Sequence, residues 1–368
     1  MPKTRRELLQ VAAVGAGSLV AGDALAAPLT NNQSISKIAF GACAKQDKDQ
    51  PIWDVIAATN PDLFLFIGDN IYADTRDPQV MRDKYAMLAA KPQFQRFRAK
   101  VPFLTIWDDH DYGEDDAGQE YPMKDESRKQ FCDFWGVAEN SPRRTRADGI
   151  YTAQIFGPSG QKVQIILPDL RFNRTPIRKM DLGSKDYRTW AAELNSAGKA
   201  VPGPYDRNPD DAATMLGETQ WTWLEYQLSQ PADVRILASS LQVVADFAGW
   251  EGWINYANDH QRLIEAIRRK RANGLFCISG DTHYGEISRL NVNVPYPLWD
   301  FTSSGITEVW PVTPPNSRRI GEVYRERNFG LIEINWQNHS IEVKICGEDG
   351  SIKLRQTMSI SSLRQARF

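Results

Sequence analysis

The chain contains few cysteines and few histidines and has almost no net charge. Each of these features argues against a class of protein or of binding site. Only four cysteines and four histidines occur among 368 residues, and the formal net charge is −2. Four cysteines are too few for a disulfide framework in a chain of this length. A charge near zero, without a basic stripe, argues against a nucleic-acid-binding patch or an anionic membrane partner. We therefore expect an ordinary soluble core and a small-molecule partner.

A long hydrophobic run is also missing, even near the amino terminus. The small apolar residues of Val11–Ala21 are too few to span a bilayer, so no transmembrane segment is predicted. They follow the twin arginines Arg5 and Arg6 and precede Ala24–Ala26. This order predicts a signal peptide of residues 1–27 for the twin-arginine export machinery, and a periplasmic or secreted protein. The alternative is an amphipathic or membrane-anchoring helix.

The rest of the chain alternates between apolar runs and helical patterns, which is typical of an α/β fold. Helices are predicted at Ile52–Ala58 and Asp259–Arg271. Three alternating runs near the carboxyl terminus predict an antiparallel addition to the same core. The six predicted core strands are Lys37–Ala42, Leu63–Ile67, Phe103–Trp107, Val163–Leu167, Arg235–Ala238 and Leu275–Ser279.

Four of these strands are followed by residues that can bind a cation. The segments are Cys43 after the first strand, "GDNIYAD" (Gly68–Asp74) after the second, "DDHDYGEDDAG" (Asp108–Gly118) after the third, and "GDTHYGE" (Gly280–Glu286) after a late strand. Ligands of open α/β sheets bind beyond the carboxyl ends of the strands. We therefore expect the four loops to converge.

The donor types in these loops restrict the choice of cation. His260 is predicted on the polar face of a helix and His339 in a turn, so only His110 and His283 remain for the site. This argues against a zinc site built from histidine and favours Ca²⁺, Mg²⁺ or Mn²⁺ among the carboxylates. Cys43 and Tyr72 would add anionic donors suited to Fe³⁺.

At these positions the chain resembles the alkaline phosphatase D (PhoD-like) family, a branch of the calcineurin-like metallophosphoesterases. The resemblance runs from about Ile38 to Gly347. It implies a four-layer sandwich of two β-sheets flanked by helices, with residues 28–368 as the catalytic domain. It also implies hydrolysis of phosphate mono- and diesters with Ca²⁺, and in some members Fe³⁺. The matching motifs are "FGACA", "GDNIY", "WDDHD", "LPDLR", "SSLQ", "WEGW" and "GDTHYGE".

The resemblance also implies roles for individual residues. Asp69 would bridge two cations, His110 would contact phosphate or act as general acid, and Arg171 and Asn70 would bind substrate. For Arg171, a structural salt bridge with Asp169 or a loop acid is an equal alternative. The acidic residues 114–116 are expected to be solvated loop residues. A role as calcium ligands is the second alternative. The implied metal ligands are Cys43, Asp69, Tyr72, Asp108, Asp109, Asp281 and His283.

The expected reaction is in-line attack on phosphorus by water that the cations activate, with no covalent intermediate. Arg171 would stabilise the equatorial oxygens and His110 would assist the leaving alkoxide. A phospholipase-type phosphodiesterase is the nearest alternative, because the aromatic residues of "GWEGW" and Tyr256 could hold a second ester group. An exported calcium-binding module without catalysis, and a hydrolase of carboxylic esters or lactones, are further alternatives.

Overall fold

The structure, a computed structural model, describes residues 26–199 and 201–366. The predicted signal peptide, residues 1–27, thus lies almost entirely outside the described residues. Within the described ranges, no helix is both long enough and apolar enough to cross a membrane.

The first of two sheets carries six strands and combines both ends of the described chain. Its strands are β1 (Lys37–Gly41), β2 (Leu63–Ile67), β3 (Phe103–Ile106), β10 (Asn328–Asn335), β11 (Ser340–Gly347) and β12 (Ile352–Ser359). Their order is β12-β11-β10-β1-β2-β3. Strands β1, β2 and β3 are parallel, whereas β10, β11 and β12 extend the sheet antiparallel. The carboxyl ends of the parallel strands therefore share one edge.

The second sheet is also six-stranded and mixed. Its strands are β4 (Thr152–Phe156), β5 (Val163–Leu167), β6 (Val234–Ala238), β7 (Leu275–Ser279), β8 (Gly285–Leu290) and β9 (Leu298–Ser303). They lie in the order β4-β5-β6-β7-β9-β8. Strands β5, β6, β7 and β9 are parallel, and the edge strands β4 and β8 are antiparallel. The two sheets meet where β9 contacts β10 and β8 contacts β12.

Helices flank the sheets. They are α1 (Ile52–Ala58), α2 (Pro78–Ala89), α3 (Pro92–Lys100), α4 (Asp109–Tyr112), α5 (Lys124–Phe134), α6 (Pro142–Thr145), α7 (Tyr187–Ser196), α8 (Gly217–Leu228) and α9 (Ala257–Arg269). Short 3₁₀ turns occupy Trp253–Asn255 and Ile360–Leu363.

An aromatic cluster fixes β2 against its helices. The ring of Trp53 in α1 lies 5.6 Å from both Phe64 and Phe66 of β2, and 5.0 Å from Phe97 of α3. Such tilted and edge-on ring pairs stabilise a core beyond the area that they bury. The cluster therefore holds the strand whose carboxyl end carries Asp69.

The predicted α/β fold, with two sheets flanked by helices and antiparallel strands at the carboxyl terminus, is confirmed. The prediction for His260 is wrong. Its side chain is only 7% exposed, and burial lowers its pKa to about 4, while the ring retains a hydrogen bond to the Val243 backbone. The core covers the amino-terminal turn of α9, so the face of the helix that carries His260 is buried.

Candidate metal centre

The loops after β1, β2, β3 and β7 meet at the carboxyl edges of the two sheets. The backbone N–H of Cys43 donates to the carbonyl of Gly68 at 3.3 Å, which ties the first loop to the second. The backbone N–H of Asp69 donates to the carboxylate of Asp111 at 3.2 Å, which ties the second loop to the third. Cys43 Sγ lies 3.7 Å from the carbonyl oxygen of Asp281, in the loop after β7. The structure thus brings together all four segments.

The close approach of the two sheets depends on Gly280. A Cβ atom at this position would lie 2.8 Å from the Ala42 Cβ and 3.1 Å from the Ile67 carbonyl oxygen. Contacts this short require the neighbouring backbone to move. The glycine therefore allows Asp281 and His283 of the second sheet to reach the loops of the first.

One group of donors gathers around an oxygen of Asp69. Asp69 Oδ2 lies 3.3 Å from Cys43 Sγ and 3.4 Å from the Tyr72 hydroxyl. The same hydroxyl lies 3.0 Å from His283 Nε2. Burial lowers the pKa of His283 to about 4, so its imidazole is neutral and can act as a ligand. A thiol, a carboxylate, a phenol and a neutral imidazole form a donor set suited to a redox metal such as Fe³⁺.

A second group of donors consists of carboxylates alone. Single oxygens of Asp108, Asp109 and Asp281 lie within 4.8 Å of one another. Asp69 approaches this group too, because ligand atoms of Asp69, Asp109 and His110 also lie within 4.8 Å of one another. Asp69 thus belongs to both groups and would be able to hold a cation in either of them. Oxygen donors of this kind suit Ca²⁺, Mg²⁺ or Mn²⁺.

Arg171 offsets part of the negative charge of this cluster, and the carboxylate oxygens that remain without a partner test whether a cation fits. Asp69 Oδ1 and Asp108 Oδ2 are buried and have no hydrogen-bond partner among the described residues. Burial, followed by the charge of Asp109, raises the pKa of Asp69 well above its usual range. Burial, followed by the charge of Asp108, does the same for Asp281. Cations would satisfy these oxygens and offset the repulsion, so the residues present fit a metal centre.

The backbone of the centre adopts a conformation that L-residues rarely use. Positive φ angles occur at Cys43 (64°), Asp69 (50°), Asp281 (69°) and His283 (61°). A non-glycine residue in this region costs on the order of 1 kcal/mol or more and persists only where the surroundings enforce it. Four such residues in one site indicate that the loops are held in a set geometry before any ligand arrives.

His110 lies beside the cluster and faces the adjacent pocket. Its Nδ1 lies 2.6 Å from Asp74 Oδ1, and because a carboxylate only accepts hydrogen bonds, Nδ1 carries the proton. Its ring packs on that of Tyr72 with centroids 4.1 Å apart. Burial lowers the pKa of His110, but the charges of Asp109, Asp69 and Asp74 outweigh it and raise the pKa to about 12. His110 is thus held as a proton donor, and its Nε2 pairs at 3.7 Å with the exposed Asp115 Oδ1, a distance too long for a hydrogen bond.

Arg171 does not occupy the position that substrate binding requires. Its side chain is fully buried, and its Nε donates to Asp108 Oδ1. Its Nη2 lies 2.7 Å from Glu251 and 3.4 Å from Asp109. Of its two predicted roles, the structure supports the salt bridge with loop acids and not the contact with phosphoryl oxygens. Arg171 instead supplies positive charge behind the carboxylates.

The structure does not support the predicted contact of Asn70 with substrate either. Asn70 is 2% exposed. Its side-chain N–H groups donate to the Ile106 carbonyl at 2.9 Å and to Asp111 Oδ2 at 2.5 Å. Asn70 therefore fixes the loop that carries Asp69 and has no donor left for a phosphate.

The second half of the acidic loop is less solvated than predicted. Asp115 is exposed and Glu114 pairs with Arg76 on the surface, as expected. The Asp116 carboxylate, however, accepts a hydrogen bond from the Tyr205 hydroxyl, and its backbone N–H donates to Asp109 Oδ2 at 2.8 Å. The sequence prediction failed there because it could not show that the loop folds back onto Asp109.

Glu251 is a buried acid of the candidate site that the sequence analysis did not identify. Its carboxylate is buried, pairs with Arg171 and Arg174, and comes within 4.8 Å of oxygens of Asp109 and Asp116. The signal was available, because a lone acid inside the aromatic segment "GWEGW" must find a partner if it is buried. The pairing itself involves residues about 80 positions away and could not be read locally.

A pocket of about 310 Å³ opens beside these groups. One wall is polar and includes Asp109, His110 and Asp281. Another part of the lining, the aromatic wall, consists of Trp250, Tyr187 and Trp310, with the Trp250 ring 5.6 Å from Tyr187 and 5.8 Å from Trp310. Tyr256, which the sequence suggested for this surface, is instead buried and donates to the Thr175 carbonyl.

Comparisons with known proteins identify a family for this chain. A model of the PhoD-like phosphatase family matches residues 38–345. Alkaline phosphatase D of Bacillus subtilis (strain 168) is 24% identical over 293 residues, which are 69% of this chain and 47% of that protein. The chain therefore spans about half the length of this curated relative.

Two solved structures share the fold. The structure of PhoD has a TM-score of 0.66 at 15% identity, over 93% of this chain and 73% of that one. GAP50, the anchor in the inner membrane complex of Plasmodium, has a TM-score of 0.53 at 13% identity, over 91% and 90% of the two chains. From the extent of the family match, the chain belongs to the PhoD-like phosphatase family.

Proposed function

We propose, on the premise that the chain is a PhoD-like phosphatase, that it is a metal-dependent hydrolase of phosphate esters. The observation that carries this proposal is the convergence of seven candidate metal ligands, with unpaired carboxylate oxygens, three of which (Asp109, Asp281 and His283) line one pocket. A phosphate ester is an anion, so a centre that attracts cations also prepares the pocket for such a substrate.

Cys43, Tyr72 and His283 would hold Fe³⁺ together with Asp69, and Asp108, Asp109 and Asp281 would hold Ca²⁺ with the same bridging Asp69. These ions, when bound, supply positive charge that screens the phosphoryl oxygens and makes water a stronger acid. This assignment rests on the donor types of the two groups and on the position of Asp69 between them.

The protein itself would manage the proton of the leaving group. His110 lines the pocket, and Asp74 fixes its imidazole through Nδ1, so that Nε2 can donate to an ester oxygen. Arg171 and Arg174 would hold Glu251 and Asp109 in place and limit the repulsion among the acids. Hydrolysis without a covalent intermediate needs no nucleophilic side chain.

The aromatic wall favours phosphodiesters and bulky monoesters as substrates. Trp250, Trp310 and Tyr187 offer ring surface to the second group of a diester in the same pocket as the acids. A phospholipase-type diesterase would use the same wall for an acyl chain. We infer that a small monoester without a ring is the poorer substrate.

Removal of the metals is expected to abolish hydrolysis, because the buried acids then repel the substrate phosphate. The test is elemental analysis of the purified protein, followed by chelation and by add-back of Ca²⁺ and Fe³⁺, separately and together. Rates are measured on a monoester and a diester of one chromophore. We expect add-back to restore activity and the diester to be hydrolysed faster. Full activity in the stripped protein would refute the metal dependence, and a metal-replete protein without any esterase activity would favour a calcium-binding module.

We also infer that the chain is exported by the twin-arginine route, on the basis of Arg5, Arg6 and Ala24–Ala26. Amino-terminal sequencing of protein recovered from outside the cytoplasm is expected to begin near Ala27. Retention of the intact amino terminus on the membrane would support the anchoring helix instead.

A further inference from the structure

We propose that Gln242 selects the substrate: its side-chain carbonyl accepts a hydrogen bond from an N–H or O–H group on the organic part of the ester. This inference rests on the proposed function, since it concerns the same pocket. Gln242 follows strand β6 in the segment "SSLQ" and lines the pocket, although its side chain has no part in the metal centre described above.

The orientation of the Gln242 amide follows from the chemistry of its neighbours. Its amide nitrogen lies 2.9 Å from Glu286 Oε2. Glu286 is fully buried, and its carboxylate pairs with Arg319 and accepts a hydrogen bond from the Asn316 amide, so its oxygens serve as acceptors. An amide oxygen at that position would face another acceptor. The NH₂ group of Gln242 must therefore point toward Glu286.

The second N–H of the same amide is also in use. It donates to Thr302 Oγ1 at 2.9 Å, and that hydroxyl lies 2.8 Å from Ser279 Oγ. Beneath them, Asp300 accepts from Ser279 and from the backbone N–H groups of Val243 and Val244. Both the side chain and the following backbone of Gln242 are thus fixed, which lowers the cost of binding a partner.

These contacts leave one polar atom of Gln242 without a partner. Gln242 Oε1 accepts no hydrogen bond from the described residues, and it is not one of their fully buried polar atoms, so it is accessible although the residue as a whole is only 7% exposed. Such an acceptor binds water in the free protein and exchanges it for a donor of the ligand. Because Gln242 borders the pocket, a bound substrate can supply this donor.

Asn316 shows by contrast that this arrangement is specific to Gln242. Asn316 also lines the pocket and also donates to Glu286, at 2.8 Å. Its second N–H donates to Ser288 Oγ, and its oxygen accepts from the Arg318 backbone at 3.0 Å. Asn316 therefore offers no free acceptor, and it provides a matched control.

The pocket accordingly fits an ester whose organic group combines two properties. One face must be flat or apolar to lie against Trp250 and Trp310, and one edge must present an amine, amide or hydroxyl hydrogen to Gln242. Hydroxylated and amine-bearing ring systems have both properties, whereas plain hydrocarbon groups have only the first. A site that holds an acceptor in a fixed orientation discriminates against analogues that lack the donor.

Matched pairs of phenyl phosphates test this selection in the metal-replete protein. The members of each pair carry a hydroxymethyl or a methyl group at the meta or para position, and their phenols have similar acidities. We expect kcat/KM to favour the hydroxymethyl ester by roughly three- to tenfold in at least one pair. A ratio near one in every pair would overturn the proposal. Absence of hydrolysis of all four esters would instead refute the proposed function.

Two variants locate the cause of the preference. Gln242→Met removes the acceptor and one hydrogen bond to Glu286, and it is expected to bring the ratio to about one. Asn316→Leu removes one hydrogen bond to Glu286 but no free acceptor, and it is expected to keep the wild-type ratio. Equal loss of the preference in both variants would contradict the role of Gln242. Should Gln242→Met fail to fold, the wild-type ratios and Asn316→Leu still decide the question.

Discussion

Asp69→Asn is expected to lower kcat/KM for phosphate esters by roughly a thousandfold or more, since the loss of a bridging carboxylate removes several kcal/mol of charge stabilisation. Asp69 reaches both the Cys43 and Tyr72 donors and the Asp109 group. Elemental analysis should show a reduced metal content in parallel with the activity.

The stability of the variant separates this effect from misfolding. Burial and neighbouring acids raise the pKa of Asp69, so its charge opposes folding of the metal-free protein at neutral pH. The melting temperature of metal-free Asp69→Asn should therefore equal or exceed that of metal-free wild type. Addition of metal should raise the melting temperature of the variant less than that of wild type. Glu114→Gln is the control, since it makes the same chemical change in the acidic loop but outside the pocket. Wild-type metal content in Asp69→Asn would refute the bridging role.

His110→Ala is expected to lower kcat by about 10²- to 10⁴-fold, the usual range for a general acid. The two predicted roles of His110 differ in how the loss depends on the substrate. A proton donor matters most when the leaving alcohol is weakly acidic, whereas a phosphate contact affects all esters alike. We therefore expect a steep dependence on leaving-group acidity across a series of substituted aryl and alkyl phosphates.

Asp74→Asn is the matched variant for this measurement. Asp74 does not line the pocket, and it acts through His110 Nδ1 at 2.6 Å. Its replacement should give a smaller loss with the same trend across leaving groups, because the imidazole remains but is less well oriented. A uniform loss across the series in His110→Ala would assign His110 to phosphate binding and refute the proton transfer.

The fold was largely predictable because its local signals agree with its long-range contacts. The strands Leu63–Ile67, Val163–Leu167 and Leu275–Ser279 were predicted with the bounds that the structure shows. Continuous apolar runs of this length are typical of strands covered on both faces. The convergence of the acidic loops followed from the same pattern, since parallel strands end at one edge.

What the sequence could not predict are pairings between distant polar groups. A guanidinium such as that of Arg171 suits a phosphate and a carboxylate equally well, so only the fold decides between them. Gln242 was within reach of prediction, because it too follows a parallel strand that ends at the same edge. A neutral amide such as that of Gln242 does not indicate a binding site from sequence alone, because its orientation depends on partners that only the fold brings together.

The position of Gly280 between the two sheets affects how the protein unfolds. The cysteine, tyrosine and several carboxylates of the centre belong to one sheet, whereas Asp281 and His283 belong to the other, and Gly280 permits their contact. A cation shared across this junction would act as a crosslink between the two sheets. Its binding free energy would then oppose their separation, so that resistance to heat and denaturant would depend on the metal supply of the surroundings.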